Sequence, residues 1–384
     1  MRAGVTTVTR RVTTQAPVLA GYSYVRPLGS GGFADVFLYE QDMPRRVVAV
    51  KVLVDDAINP EVLRTFSAET DILARLSAHP SIVTIYQASI SGDGRPYFVM
   101  EYCPDNMSSR YKKVPLPVTT VLDVGVRLAG ALETAHRSGV LHRDIKPSNV
   151  LVTVLGVPVL ADFGIAAAVA RAEEEPESLA LSVPWSSPEV LQNQTNGDVA
   201  SEIWSLGATL YTLLVGRAPF ESVTGERLSR DQHQARIVKA KYPPTERSDV
   251  PERLEAALAK ALEKDPAKRH ATMFEFAEEL RWAQFEIGVA PTAVEVVDPS
   301  WASAALQADD DAFAQRGPAI STVKKDSRRA LRAQSLASAQ RGMRQLEAEE
   351  QAAPSSRKAA IQGGLIGAAV VAVIAVIVII AMGF

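Results

Sequence analysis

His142-Arg143-Asp144-Ile145-Lys146-Pro147-Ser148-Asn149 is the stretch on which the reading turns, and Asp162-Phe163-Gly164 and Ser187-Pro188-Glu189 follow it in order. Upstream, Val47-Val48-Ala49-Val50-Lys51-Val52-Leu53 reads as a strand whose apolar run a single lysine interrupts. A half-buried lysine needs an anionic partner. The helix expected over Pro60–Ala78 carries Glu69 on the face of Phe66, Ile72, Leu73 and Leu76, which turns that carboxylate inward. Taken alone, Lys51 and Glu69 could equally be an ordinary salt bridge.

Further upstream the chain reads strand, glycine turn, strand: Tyr22 to Leu28, then Gly29-Ser30-Gly31-Gly32-Phe33, then Val36-Phe37-Leu38-Tyr39. In a dinucleotide-binding fold the glycines must open a helix. A strand on the far side points instead to a hairpin flap over phosphates. Gly29 and Gly31 would let backbone N–H groups come close to phosphate oxygens.

With these motifs in register, the chain over about residues 22–285 resembles the protein kinase family, most closely the eukaryotic-like serine/threonine kinases of bacteria. The resemblance implies an α+β, two-lobed fold: a β-rich N-lobe with one helix to about residue 102, and a helical C-lobe. It implies ATP, with Mg2+ or Mn2+, as the phosphate source, and serine or threonine hydroxyls of proteins, the chain itself included, as acceptors. By similarity, Lys51 meets the α and β phosphates and Glu69 holds its ammonium. Asn149 and Asp162 give oxygen ligands to the metal, Asp144 orients the acceptor hydroxyl, and Lys146 neutralises the γ phosphate. Leu28, Val36, Ala49 and Leu151 enclose the adenine ring, Met100 is the gatekeeper, and backbone groups of Glu101 and Cys103 meet the adenine edge.

Departures from the family pattern are few. Ala34 replaces the third loop glycine, Ser182 stands at the threonine position facing the acceptor, and Glu202 stands where an aspartate usually braces the catalytic loop. Glu189 and Arg269 match a buried pair that ties down the activation segment. That segment, Ile165 to Ser187, offers Ser178 as its conventional phosphorylation site, beside Glu173, Glu174, Glu175 and Glu177. Those carboxylates either form a solvated loop or stand in for a phosphate at Arg143.

Composition sets the outer limits. The chain has 384 residues, 47% hydrophobic, enough for more than one domain and too apolar for wholesale disorder. Its 41 basic and 44 acidic side chains nearly cancel, so no whole-chain field gathers nucleic acid. The lone Cys103 excludes an internal disulfide.

Residues 1–20 read as a disordered, threonine-rich N-terminus, and its run Thr6–Thr14, or else the Ser321–Ser327 segment, is a candidate for autophosphorylation and for docking a phosphothreonine-binding partner domain. Residues 286–358 read as a juxtamembrane linker, irregular at first. It then turns basic, with seven Lys or Arg against Asp326 between Lys324 and Arg344, either resting on anionic lipid or acting as a solvated tether. From Ala359 to Phe384 no side chain is charged, which is long enough for a single membrane span. Arg357 and Lys358 place residues 1–358 on the cytoplasmic side of the cell membrane. The Gly363/Gly367 and Gly364/Ala368 spacing would suit a homodimer through that helix, or mere packing tolerance.

Overall fold

Strands form where the sequence is rich in β-branched and aromatic residues, and their alternation decides which side chains enter the cleft. The computed structural model describes residues 14–31, 34–53, 70, 73–163, 182–222, 228–239 and 241–298. All lie in a compact unit that ends before Asp309. Strands β1 (Tyr22–Ser30), β2 (Ala34–Gln41), β3 (Arg46–Leu53), β4 (Ile85–Ile90) and β5 (Pro96–Glu101) make one antiparallel sheet in the order β1-β2-β3-β5-β4. Lys51 stands opposite Val36 on one side and Phe98 on the other. A one-residue slip would send it to the outer face, so the register of β3 is itself part of the site. β1 and β2 run farther toward the glycine turn than the sequence suggests. A bulge between Pro27 and Gly29 lets Leu28 leave the ladder and join the cleft side.

The outer face of this sheet is apolar, built on Phe37, Tyr39, Val48, Val50, Val52, Tyr97 and Val99, and Leu19 closes it. Here the expectation of a disordered N-terminus through residue 20 gives way for residues 14–19. Thr14 donates from its backbone N (2.8 Å) and its hydroxyl (2.5 Å) to Asp35, Arg95 donates to the Gln15 carbonyl (2.9 Å), and the Tyr39 hydroxyl donates to the Pro17 carbonyl (2.5 Å). Polar composition suggested a free tail, but buried partners far along the chain satisfy its backbone.

Below the cleft lie β6 (Asp105–Asn106), β7 (Val150–Val152) and β8 (Pro158–Leu160), a small sheet in that order. The helices are α1 (Met107–Tyr111), α2 (Val118–Arg137), α3 (Pro188–Leu191), α4 (Val199–Val215), α5 (Arg230–Val238), α6 (Glu252–Ala261) and α7 (Met273–Glu286). α4 is apolar nearly all round and correspondingly buried, with Ile203, Trp204, Leu206, Leu210, Leu213 and Leu214 sealed from solvent. Asp198 and Ser201 form a reciprocal capping box at its start, and Gly216, at φ +83°, ends it in the left-handed region. The two lobes are tied by Ser81 and Val83, whose backbone groups bond to both sides of Leu160. Within the helix expected over Pro60–Ala78, residues 73–76 are helical.

The linker expected from residue 286 also begins later than composition suggested. Residues 288–297 lie along α2: Thr292 exchanges two hydrogen bonds with Gln284, His79 meets the Glu295 carbonyl at 2.8 Å, and Val297 N donates to the Thr134 hydroxyl. Pro291 and the lack of periodicity suggested a loose tether, yet tertiary hydrogen bonds order the segment. Among the described residues no helix is long and apolar enough to cross a membrane. The expected span at 359–384 and the basic stretch before it lie outside the described residues.

Candidate active site

The loop between α2 and β7 is held from behind by buried groups. Asp144 N donates to His142 Nδ1 at 3.3 Å, so the ring proton sits on Nε2 and is donated to the Ala161 carbonyl at 2.9 Å. His142 is fully buried, and that burial lowers its pKa and keeps it neutral. The residue beside it, Arg143, has φ +65°, a conformation that costs a non-glycine residue about 1–3 kcal/mol unless its surroundings impose it. Glu202 imposes it: Oε1 accepts from Arg143 N at 2.6 Å, while Oε2 meets His136 Nε2 at 2.7 Å. The extra methylene relative to the family's usual aspartate is therefore taken up by a second partner on α2. His136 escaped the sequence reading, because its partner is far along the chain and the only hint was a lone histidine near the end of an amphipathic helix.

In front of the loop, four side chains converge. Asn149 Nδ2 donates to both the Asp144 carbonyl (2.8 Å) and Oδ2 (2.9 Å), and Lys146 Nζ lies 2.7 Å from Oδ2. Ser182 donates its hydroxyl proton to Asp144 Oδ1 at 2.8 Å and accepts from Lys146 at 2.8 Å. An aliphatic hydroxyl thus sits between a carboxylate that takes its hydrogen bond and an ammonium that supports its oxygen.

Across the cleft, Lys51 reaches from the sheet to Asp162, Nζ to Oδ1 2.7 Å. Asp162 also has positive φ, +67°. Withdrawal from water would raise its pKa, but the Lys51 ammonium outweighs this and holds the carboxyl below its ordinary value. It is ionised at neutral pH and its side chain is 40% exposed, open to a ligand. Asn149 commits its amide nitrogen to Asp144, while its Oδ1 receives only a long 3.4 Å contact from Ser148. An anionic and an amide oxygen are suitable donors for a hard divalent cation that keeps water and phosphate oxygens as its other ligands. Glu69 and Gly164, and with them the expected Lys51–Glu69 pair, lie outside the described residues, as do Ser178 and the four glutamates beside it.

Leu28, Val36, Ala49, Met100, Cys103 and Leu151 come together in one apolar cluster between the lobes, as a flat ring would require. Val83, Val157, Val159 and Ala161 complete it and were missed, since short apolar strands look alike in sequence. Cys103 is a half-buried thiol whose pKa is pushed up to about 12 by burial and then by the Glu101 carboxylate. The Glu101 amide is committed to the Thr84 carbonyl at 2.9 Å. At the glycine turn, Gly31 N bonds the Ala34 carbonyl, and the space a Gly29 side chain would fill is open. Asp105, two residues after Cys103, is held by Arg110 and Ser109. The Glu189–Arg269 pair is present, bidentate at 2.7 and 2.9 Å, with Arg269 also bonding the carbonyls of Glu263, Lys264 and Ala200.

A β-sheet lobe over a helical lobe, with a glycine turn, a lysine–aspartate pair and an Asp-Lys-Asn cluster at the seam, is the architecture of the protein phosphotransferases. The chain belongs to the protein kinase family: the protein kinase domain model matches residues 22–281. It is 40% identical over 272 residues to the serine/threonine-protein kinase PknK of Mycobacterium bovis, covering 70% of this chain and 24% of that protein. It is 34% identical to the serine/threonine-protein kinase PrkC of Bacillus subtilis, over 68% of this chain and 40% of the relative. The chain thus spans about a quarter of PknK's length. A mutant PknI kinase domain of Mycobacterium tuberculosis, known as a crystal structure, is 28% identical and superposes with a TM-score of 0.54, covering 71% of this chain and 99% of the other.

Proposed function

We propose that this chain transfers the γ phosphate of ATP to serine and threonine hydroxyls of proteins, itself among them, as a membrane-tethered signalling kinase. The observation that carries the reading is Ser182, whose hydroxyl is bonded to Asp144 and Lys146 at 2.8 Å each. A substrate hydroxyl in such a setting gives its proton to the Asp144 carboxylate as its oxygen bonds to phosphorus and the bond to the departing ADP oxygen breaks. Lys146 balances the charge on the moving phosphoryl group. Lys51 holds the α and β phosphates, braced by Asp162 and, in this reading, by Glu69.

Asn149 and Asp162 would hold Mg2+ or Mn2+, which when bound neutralises phosphate oxygens. Leu28, Val36, Ala49 and Leu151 would enclose the adenine, backbone groups of Glu101 and Cys103 its edge, and the backbone at Gly29 and Gly31 the phosphates. Residues 22–285 form the kinase domain in this reading. Residues 359–384 would span the cell membrane once, leaving the kinase on the cytoplasmic side, and could pair with a second copy. The threonine-rich segment before Thr14, or the Ser321–Ser327 segment, would take phosphate and attract a phosphothreonine-binding domain.

The test is mass spectrometry of the full chain before and after ATP and Mg2+, beside Asp144→Asn. We expect phosphate on Ser or Thr in the wild type, and in the variant retained nucleotide binding with turnover lower by about 100-fold or more. Equal turnover in Asp144→Asn would refute the assignment.

A further inference from the structure

The segment after α7 touches the machinery of the cleft from behind. Gly288, at φ +74°, turns the chain back, and Thr292 locks the turn through Gln284 and Asp123. The next residues lie so close to α2 that a Cβ on Gly130 would be 2.4 Å from the Glu295 carbonyl oxygen, with that residue's backbone N and C at 3.3 Å. Only glycine admits that approach. The same Glu295 carbonyl bonds His79, which is 1% exposed. Ser81 N donates to His79 Nδ1 at 3.0 Å, so Nε2 carries the ring proton and the Glu295 carbonyl is its acceptor.

From His79 the connection to the site is short. Ser81 O accepts from Leu160 N at 2.9 Å, Val83 N donates to Leu160 O at 2.9 Å, and Leu160 is two residues before Asp162. Loss of the strap would leave the His79 Nε2–H buried without an acceptor, a cost that moving the 79–83 segment would relieve. That segment is the seam between the lobes and carries Val83, part of the apolar cluster of the cleft.

We infer that residues 288–297 are a positioning strap for the cleft: seated on Gly130, they fix His79 and through Ser81 and Leu160 align Asp162, so that displacement of the linker lowers metal affinity at the site. The assignment of Asp162 to the metal rests on the kinase reading; the mechanical connection does not.

The experiment compares full-length wild type, Gly130→Ala, Val294→Asp and, as control, Glu295→Gln, by amide hydrogen exchange and by Mg2+ titration of transfer. Gly130→Ala excludes the strap from the helix side while favouring helix, and Val294→Asp does so from the strap, whose Val294 packs on the main core. Glu295→Gln keeps the carbonyl and should change nothing. In both displacing variants we expect exchange to quicken at Val297 and also at Ser81 and Leu160, by about tenfold or more. Half-saturating Mg2+ should rise several-fold. If Val297 quickens while Ser81 and Leu160 keep wild-type protection, the strap is mere packing and the inference is overturned. A wild type that binds no nucleotide would instead refute the kinase reading and leave the exchange result to be judged separately.

Discussion

Replacing Glu202 by glutamine exchanges one carboxylate oxygen for an NH2 and removes the charge while keeping the side chain's shape, which makes it a sharp probe of the catalytic loop. Glu202 is 3% exposed and serves two donors at once, Arg143 N at 2.6 Å and His136 Nε2 at 2.7 Å. A carboxylate has only acceptors, so His136 must carry a proton on Nε2. Glutamine offers one carbonyl oxygen for those two donors. If the oxygen stays with Arg143, the new NH2 faces His136, whose remedy is to move its proton to Nδ1. That atom is buried with no partner in the structure, so the proton would be stranded there. If the oxygen turns to His136, the Arg143 amide is stranded and its positive φ loses its restraint. Either way one buried donor goes unsatisfied, about 1–3 kcal/mol, and a charge-assisted bond becomes a neutral one, for a total of about 2–4 kcal/mol. At about 2–4 °C per kcal/mol the melting temperature should fall by roughly 5–15 °C. Thermal melting and steady-state transfer together locate the defect: lower stability with full turnover places the stranded proton on His136, and lower turnover as well places it at Arg143. A melting temperature within about 1 °C of wild type and unaltered turnover would refute the bracing role of Glu202.

Other perturbations have equally definite outcomes. Glu189→Ala leaves the fully buried Arg269 guanidinium without its carboxylate and should cost about 3–5 kcal/mol, read from denaturant midpoints; a loss under about 1 kcal/mol would mean the carbonyls alone suffice. His270 is buried with neither ring nitrogen bonded, and burial, then the Lys260 ammonium, lowers its pKa to about 4. A depressed folded-state value means its stabilisation is complete above about pH 6.5 and is lost as the pH falls toward 4, up to about 3 kcal/mol. His270→Phe should remove that share of the acid destabilisation and leave those of His142 and His79; an unchanged profile would contradict it. Cys103, with its thiol pKa near 12, should alkylate at pH 8 about 100-fold or more slowly than a free cysteine, measured with iodoacetamide; a rate matching the free thiol would show that burial does not protect it.

The site was legible where its chemistry is written in contiguous runs. His142–Asn149 places Asp144, Lys146 and Asn149 within one loop, and the Lys51 alternation in β3 alone decides which face the ammonium takes. Ser182 was also readable, because the resemblance to the kinase family marks its position as the one facing the acceptor. What escaped are contacts without a local signature. His136 and Glu202 meet only because α2 and α4 pack together. Residues 14–19 and 288–297 have no hydrophobic period, and their order comes from hydrogen bonds to Asp35, Arg95, Gln284 and Thr134, partners that composition does not reveal. Gly130 gave no signal in the sequence, and the nearby carbonyl of Glu295 explains why the helix carries a glycine there.

The order of synthesis gives the N-terminal segment a consequence of its own. Thr14 and Gln15 leave the ribosome about eighty residues ahead of the Arg95 side chain that binds both. Contacts of such sequence separation close late, after the loop entropy of everything between has been overcome. Until β5 has been made, the outer face built on Phe37, Tyr39, Val50 and Val99 has no lid, and its apolar side chains are available to neighbouring nascent chains. A chain begun at Tyr22, where the family match starts, would carry that exposed face permanently and should associate at concentrations at which the full chain does not.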